Sequence, residues 1–184
     1  ENWCMIGYHA TSVIADAMAK NVGDFNHERA LQASVNTANV RYFDGLGDYI
    51  DYEYVPDNKS HSSVSKTLEY AYNDWCIAQI AIQVGDDSLA EEFMKRSEYY
   101  NNVFDASTGY MRPRLSNGDF RENFDPMDTH GQGFIEGNAW NYGLYVPQNI
   151  DKMVDMMGGK ESFTQHLDSL FTMQIDEKYI EKHE

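Results

Sequence analysis

The chain has 184 residues, enough for one sizeable domain with a proper core. Hydrophobic residues make up 42% and charged residues 24%, a globular composition that excludes a disordered tail. Thirty acidic against fourteen basic residues give a formal charge of −16, which repels polyanions and argues against nucleic-acid binding and adhesion to anionic membranes. No apolar run is long enough to span a bilayer.

In chain order, the N-terminal residues carry no basic segment followed by an apolar one, so no signal peptide is expected, and the chain reads as starting in mid-protein. A first helix is predicted from about Tyr8 to Ala19, with Val13, Ile14 and Ala17 on one side. A second follows from His27 to about Ala38, capped by Asn26, with Ala30, Leu31 and Val35 inward. Residues 40–62 read as a long aromatic and acidic loop, with a turn at Pro56-Asp57-Asn58. The clearest helix is Val64 to Val84, started by Ser62 or Ser63 and stopped by Gly85. It is apolar over most of its circumference, as a buried inner helix would be.

Ser88-Leu89-Ala90-Glu91 has the form of a capping box, opening an outer helix with Leu89, Phe93, Ser97, Tyr100 and Phe104 inward. A turn at Asp105 to Gly109, an extended Tyr110 to Arg114 and a polar hairpin at Asn117-Gly118 follow. After an irregular stretch, helices are expected from about Glu136 through Tyr145, from Ile150 to Met157 and from Ser162 to Phe171. Phe163, Leu167 and Leu170 face inward on the last of these. Cys4 and Cys76 both sit in apolar surroundings and read as buried free thiols.

Several motifs reduce to simple structure. Gly158-Gly159-Lys160-Glu161 is a helix stop, since it lacks the other features of a phosphate-binding loop. Asp125 to His130 lacks the glycine and glutamate of a calcium loop and reads as a solvated turn. His9 reads as a satisfied histidine near a barrel axis. The 14% aromatic share fits either core filling or a carbohydrate cleft, and composition does not separate the two.

Gly131 to Tyr142 holds the candidate chemistry: a lone glutamate, Glu136, between glycines and beside Phe134, Ile135 and Trp140. Partial burial raises a carboxyl pKa, as a general acid working near neutrality requires. A helix-start carboxylate is the plainer account of the same residue taken alone. The decamer Gly133-Phe134-Ile135-Glu136-Gly137-Asn138-Ala139-Trp140-Asn141-Tyr142 resembles the Gly-Phe-Thr-Glu-Gly-Asn-Ala-Trp-Gln-Tyr signature of glycoside hydrolase family 92. Ser65 to Gln79 is similar to a second signature of that family. Gly7-Tyr8-His9-Ala10 with Val13 to Ala17, Gly109 to Arg114, and Met157 to Lys160 match further ones in order, so the resemblance covers nearly the whole chain. Departures are Ile135 for Thr, Asn141 for Gln, and Thr11-Ser12 for Val-Pro.

The resemblance implies an all-α piece of an (α/α)6 toroid filling residues 1–184, without the family's N-terminal β-sandwich or the C-terminal part of the toroid. It implies an inverting, exo-acting α-mannosidase, periplasmic or secreted, that acts on mannose-containing glycans and uses calcium. Glu136 matches the family's proton donor. The general base, an aspartate of a later Asp-Asp-x-Gly-Gln-Met motif, and the calcium-binding segment are not in this sequence, so no metal ligands are expected here and the chain alone is expected to be inactive. Asn138, Trp140, Arg112 and Arg114 are the candidate sugar contacts, with packing for Trp140 and ion pairs for the arginines as the structural alternatives. Relatives acting on mannosyl phosphodiesters resemble this pattern with Gln at the acid position, so Glu136 points to an ordinary mannoside. A non-catalytic helical module, for carbohydrate binding or assembly with the rest of the parent domain, is the other function class.

Overall fold

The computed structural model describes residues 5–180, and Cys4 lies outside the described residues. These residues form seven α-helices: α1 (Ala10–Ala19), α2 (His27–Ala38), α3 (Leu46–Tyr52), α4 (Ser63–Val84), α5 (Asp87–Arg96), α6 (Ile150–Met156) and α7 (Lys160–Thr172). The two short strands β1 (Phe104–Asp105) and β2 (Tyr110–Met111) pair antiparallel, with Phe104 opposite Met111 and Asp105 opposite Tyr110. The all-α expectation holds.

Helix α4 is the axis of the fold. Sixteen of its 22 residues are buried, so neighbours surround it rather than covering one stripe. It packs against α1, α2 and α5, and its N-terminal half meets the hairpin and the segment after residue 130. One apolar cluster joins α4 to Tyr8, Leu31, Tyr49 and Phe93; a second joins Leu68 and Ala71 to Tyr100, Met111, Phe134 and Met153. Gly85 ends the helix at φ +86°, where its N–H reaches Ala81 O at 2.9 Å. Cys76 is buried, and burial pushes its thiol up to about 11.

Seven buried residues of α4 are polar or charged: Ser63, Ser65, Lys66, Thr67, Glu69, Asn73 and Asp74. Such groups persist inside a protein only when partnered. Lys66 Nζ donates to Asp44 Oδ1 at 2.6 Å and to Ser60 Oγ at 2.9 Å. Thr67 Oγ1 accepts Val55 N–H at 2.9 Å. Asp74 is the most heavily engaged, with Tyr8 Oη donating to Oδ1 at 2.5 Å and Tyr49 Oη and Arg96 Nε each donating to Oδ2 at 3.0 Å. Arg96 goes on to Ala38 O at 3.0 Å and Asn39 Oδ1 at 3.2 Å, which ties α5 and α4 to the end of α2. Burial pushes the Tyr8 and Tyr49 hydroxyls well above their usual range, and the Asp74 charge acts in the same direction.

Several expectations are corrected. Val13 is 69% exposed; α1 buries Thr11, Ala15 and Met18, with Ile14 packed against the core, a face rotated from the one read off the sequence. The stretch 40–62 contains α3, which begins after Gly45 at φ +82° and ends at Glu53 in the left-handed region. Asp86, not the Ser88–Glu91 box, caps α5: its Oδ1 accepts Leu89 N–H at 3.0 Å. That helix stops at Arg96 and passes through a 3-10 turn, Tyr99–Val103, before β1. Neither Ser62 nor Ser63 caps α4 through its side chain; the Ser63 hydroxyl donates to Asp57. The helix expected over Glu136 to Tyr145 is absent, for reasons given below. The Asn26 cap is as expected, with Oδ1 accepting Arg29 N–H at 2.6 Å.

Replacing Asp74 by Ala strands two buried hydroxyls and a guanidinium. The expected cost is about 3–5 kcal/mol, read as a lower urea midpoint at unchanged m-value.

Candidate active site

The segment carrying Glu136 is held by the start of α4. Two N–H groups of the first turn of α4, those of Val64 and Ser65, donate to Gly133 O at 2.9 and 3.2 Å, so a distant loop supplies the helix cap. In return Ser65 Oγ accepts Ile135 N–H at 3.1 Å. Arg121 donates to Gly131 O and, at 3.2 Å, to Asp57 Oδ2, which secures the loop upstream.

Asparagine side chains replace helix bonds in the residues that follow. Asn138 Oδ1 accepts Trp140 N–H at 3.0 Å, and Asn141 Oδ1 accepts the N–H groups of Asn138 at 2.9 Å and Tyr142 at 2.6 Å. Local bonds of this kind compete with a helix ladder. Glu136 itself sits at φ +51°, which no α-helix residue adopts. The segment therefore runs as tight turns into a single 3-10 turn, Tyr142–Leu144. Left-handed backbone at a glutamate is costly, and such strain collects where a side chain must be aimed.

The outcome is a cleft of about 410 Å³ lined by Glu69, Glu136, Asn141, Tyr142, Leu144 and Tyr145. Glu136 is exposed, so the apolar enclosure expected from Phe134, Ile135 and Trp140 is not what surrounds it. Phe134 faces the core, and Trp140 stacks on His166 with ring centroids 4.4 Å apart. Burial in that stack lowers the His166 pKa.

The other four candidates make contacts within the chain, and none lines the cleft. Asn138 Nδ2 donates to Met127 O at 3.0 Å, and its Oδ1 holds the turn described above. Trp140 packs between Tyr110 and His166. Arg112 pairs with Asp105 at 2.8 Å and donates twice to Arg121 O, while Arg114 donates to Gly118 O at 2.7 Å and Asn102 O at 3.0 Å. These are the bonds of residues holding a hairpin together. Asp125 to His130 is a loop of side-chain turns, with Asp125 Oδ1 accepting Met127 N–H and Asp128 Oδ1 accepting His130 N–H. Among the described residues, no group of three or more His, Cys, Asp or Glu side chains is placed to hold a metal ion.

Glu69 was not among the candidates. It lines the cleft from α4, and Tyr142 Oη donates to its Oε1 at 2.5 Å. Burial and the Glu69 charge together push the Tyr142 hydroxyl well above its usual range. A carboxylate inside a helix that is buried all round, with Ser65 and Asn73 one turn to either side, was the available signal.

The chain matches the glycosyl hydrolase family 92 catalytic domain over residues 1–184. It belongs to glycosyl hydrolase family 92. A solved family 92 α-mannosidase of Bacteroides thetaiotaomicron is 44% identical and superposes with a TM-score of 0.89, covering 95% of this chain and 23% of that one. The same enzyme in complex with mannoimidazole gives 42% identity and a TM-score of 0.90, over 96% of this chain and 24% of that one. A family 92 inverting mannosidase from the same species is 31% identical with a TM-score of 0.88, over 97% of this chain and 25% of that one. An uncharacterized secreted glycosidase of Arthroderma benhamiae is 27% identical over 92% of this chain and 27% of its own length. The chain thus spans about a quarter of the relatives it matches and is a helical piece of the family 92 catalytic domain.

Ser65→Ala in the full-length protein removes the acceptor of Ile135 N–H. The expected loss is about 1–3 kcal/mol of stability, read as a lower melting temperature; an unchanged melting temperature would show that the loop is held elsewhere.

Proposed function

We propose that this chain contributes the general-acid segment of an inverting, exo-acting α-mannosidase that removes mannose from the ends of glycans. The observation that carries this reading is Glu136, exposed at a cleft walled by tyrosines and fixed there by strained backbone, in a family 92 chain. The solved relatives, one α-mannosidase seen in two structures and one inverting mannosidase, support the substrate and the stereochemistry.

In this reading the Glu136 carboxyl donates its proton to the departing glycosidic oxygen. Inversion requires a second carboxylate on the opposite face of the sugar, roughly 6.5–9.5 Å away, to activate water. That base is assigned to a part of the protein outside this sequence, the later aspartate motif implied by the family resemblance. Calcium is proposed for the complete enzyme on the same ground. The described residues offer it no ligand cluster, and no step is assigned to it through this chain. The remainder of the parent catalytic domain is the obligate partner, since it closes the cleft and brings the base. A periplasmic or secreted site of action fits the relative described as a secreted glycosidase. No helix among the described residues is long and apolar enough to cross a membrane.

Glu136→Gln in the full-length protein is expected to lower hydrolysis of natural mannobiosides by about 10²–10⁴-fold, while aryl mannosides with good leaving groups keep most of their rate. Equal loss on both substrate classes would remove the acid role. The 184-residue chain by itself, supplied with calcium, is expected to show no turnover in a reducing-sugar assay.

A further inference from the structure

Proton donation needs a carboxyl held in one direction, and Glu136 does not hold its own. Its side chain makes no hydrogen bond or ion pair among the described residues, so its aim is set by the backbone on either side. Upstream, that backbone is tied to α4 through Gly133 O and Ile135 N–H. Downstream, it turns through Gly137 and the asparagine bonds to Trp140, where it meets α7. No residue of α7 is fully buried, and His166 is the one that reaches this turn.

His166 holds Trp140 at two points. Its ring lies 12° from the plane of the indole with centroids 4.4 Å apart, and its Nε2 is 3.5 Å from Trp140 O. A carbonyl only accepts, so the neutral imidazole carries its proton on Nε2 and points it at that oxygen. At 3.5 Å this bond is at the outer limit, and the stacked faces carry most of the contact. Tyr110 closes the group, its ring 5.8 Å from His166 and 5.4 Å from Trp140. The imidazole enters a site lined by Gly109, Ala139, Gly143 and Met157 that has no space for a water molecule. No sugar reaches it there, and it does not line the cleft. Burial lowers its pKa and keeps the ring uncharged near neutrality.

We propose that His166 is a positioning residue for the acid: by clamping the ring and the carbonyl of Trp140 it fixes the far end of the turn that aims Glu136 into the cleft. The proposal rests on the general-acid reading of Glu136. It is tested in the full-length enzyme with two variants. His166→Leu fills the site without an aromatic face or a donor, and His166→Phe restores the face alone. Each is assayed on a natural mannobioside, whose leaving group needs the acid, and on an aryl mannoside with a good leaving group, which does not. His166→Leu is expected to lose about 10- to 100-fold in kcat on the mannobioside, with KM little changed and the aryl rate kept. His166→Phe recovers most of that loss. A residue that only supports the fold would, when replaced by Leu, lower both rates by the same factor or prevent folding. Either outcome, or a His166→Phe enzyme no better than His166→Leu, overturns the proposal. Glu136→Gln assayed alongside separates the two readings. A contrast between substrates in Glu136→Gln but not in His166→Leu removes the role of His166 alone, and no contrast in either removes both.

Discussion

The structure depends on an ion pair that is almost wholly removed from water. Asp74 and Arg96 are buried, and neither could remain so without the Tyr8 and Tyr49 hydroxyls and the Ala38 carbonyl that complete their hydrogen bonds. Each partner comes from a different part of the chain. The segment before α1, α3, the end of α2 and α5 must all be in register with α4 at once. Apolar packing alone tolerates slippage, whereas a buried charge admits one arrangement and penalises near misses.

The same helix links fold and chemistry. Near the middle of α4 Asp74 holds neighbouring helices; toward its N-terminus Lys66 and Thr67 hold residues 44–60 and Ser65 holds the loop of Glu136. Asn73, one turn from Glu69, bridges the two roles: its amide fixes the Tyr8 backbone on one side and the His9 ring on the other. The arginines of the β-hairpin brace this assembly from outside the cleft, with Arg112 against Phe124 and Arg114 against Tyr54 and Phe120.

Much of this was legible in the sequence because it was local. The long buried helix, its glycine stop and the Asn26 cap all follow from neighbouring residues. The family resemblance singled out Glu136, and the cleft is where that residue stands. What was not legible was set by distant partners. The cap of α4 is a carbonyl nearly 70 residues away, and the face of α1 was misjudged because Val13 looks apolar while Thr11 finds a buried bond to Tyr8 O. The helix expected after Glu136 fails because Asn138 and Asn141 turn their side chains onto the backbone, a choice that composition does not reveal. Glu69 was passed over although its buried helix marked it, because the residues it meets, Tyr142 and His9, lie more than 50 positions away in the chain.

Gly133 shows how narrow this arrangement is. At φ +81° its missing side chain leaves room for Pro113 Cγ, Val64 Cγ2 and Ser63 Oγ, which a Cβ would meet at 2.7, 2.9 and 3.2 Å. Any side chain here would strain the backbone and also lever the carbonyl off the helix it terminates. The position is therefore a mutational dead end: drift in sequence can reshape the cleft walls on either side, but the pivot between scaffold and Glu136 has no neutral neighbours to explore.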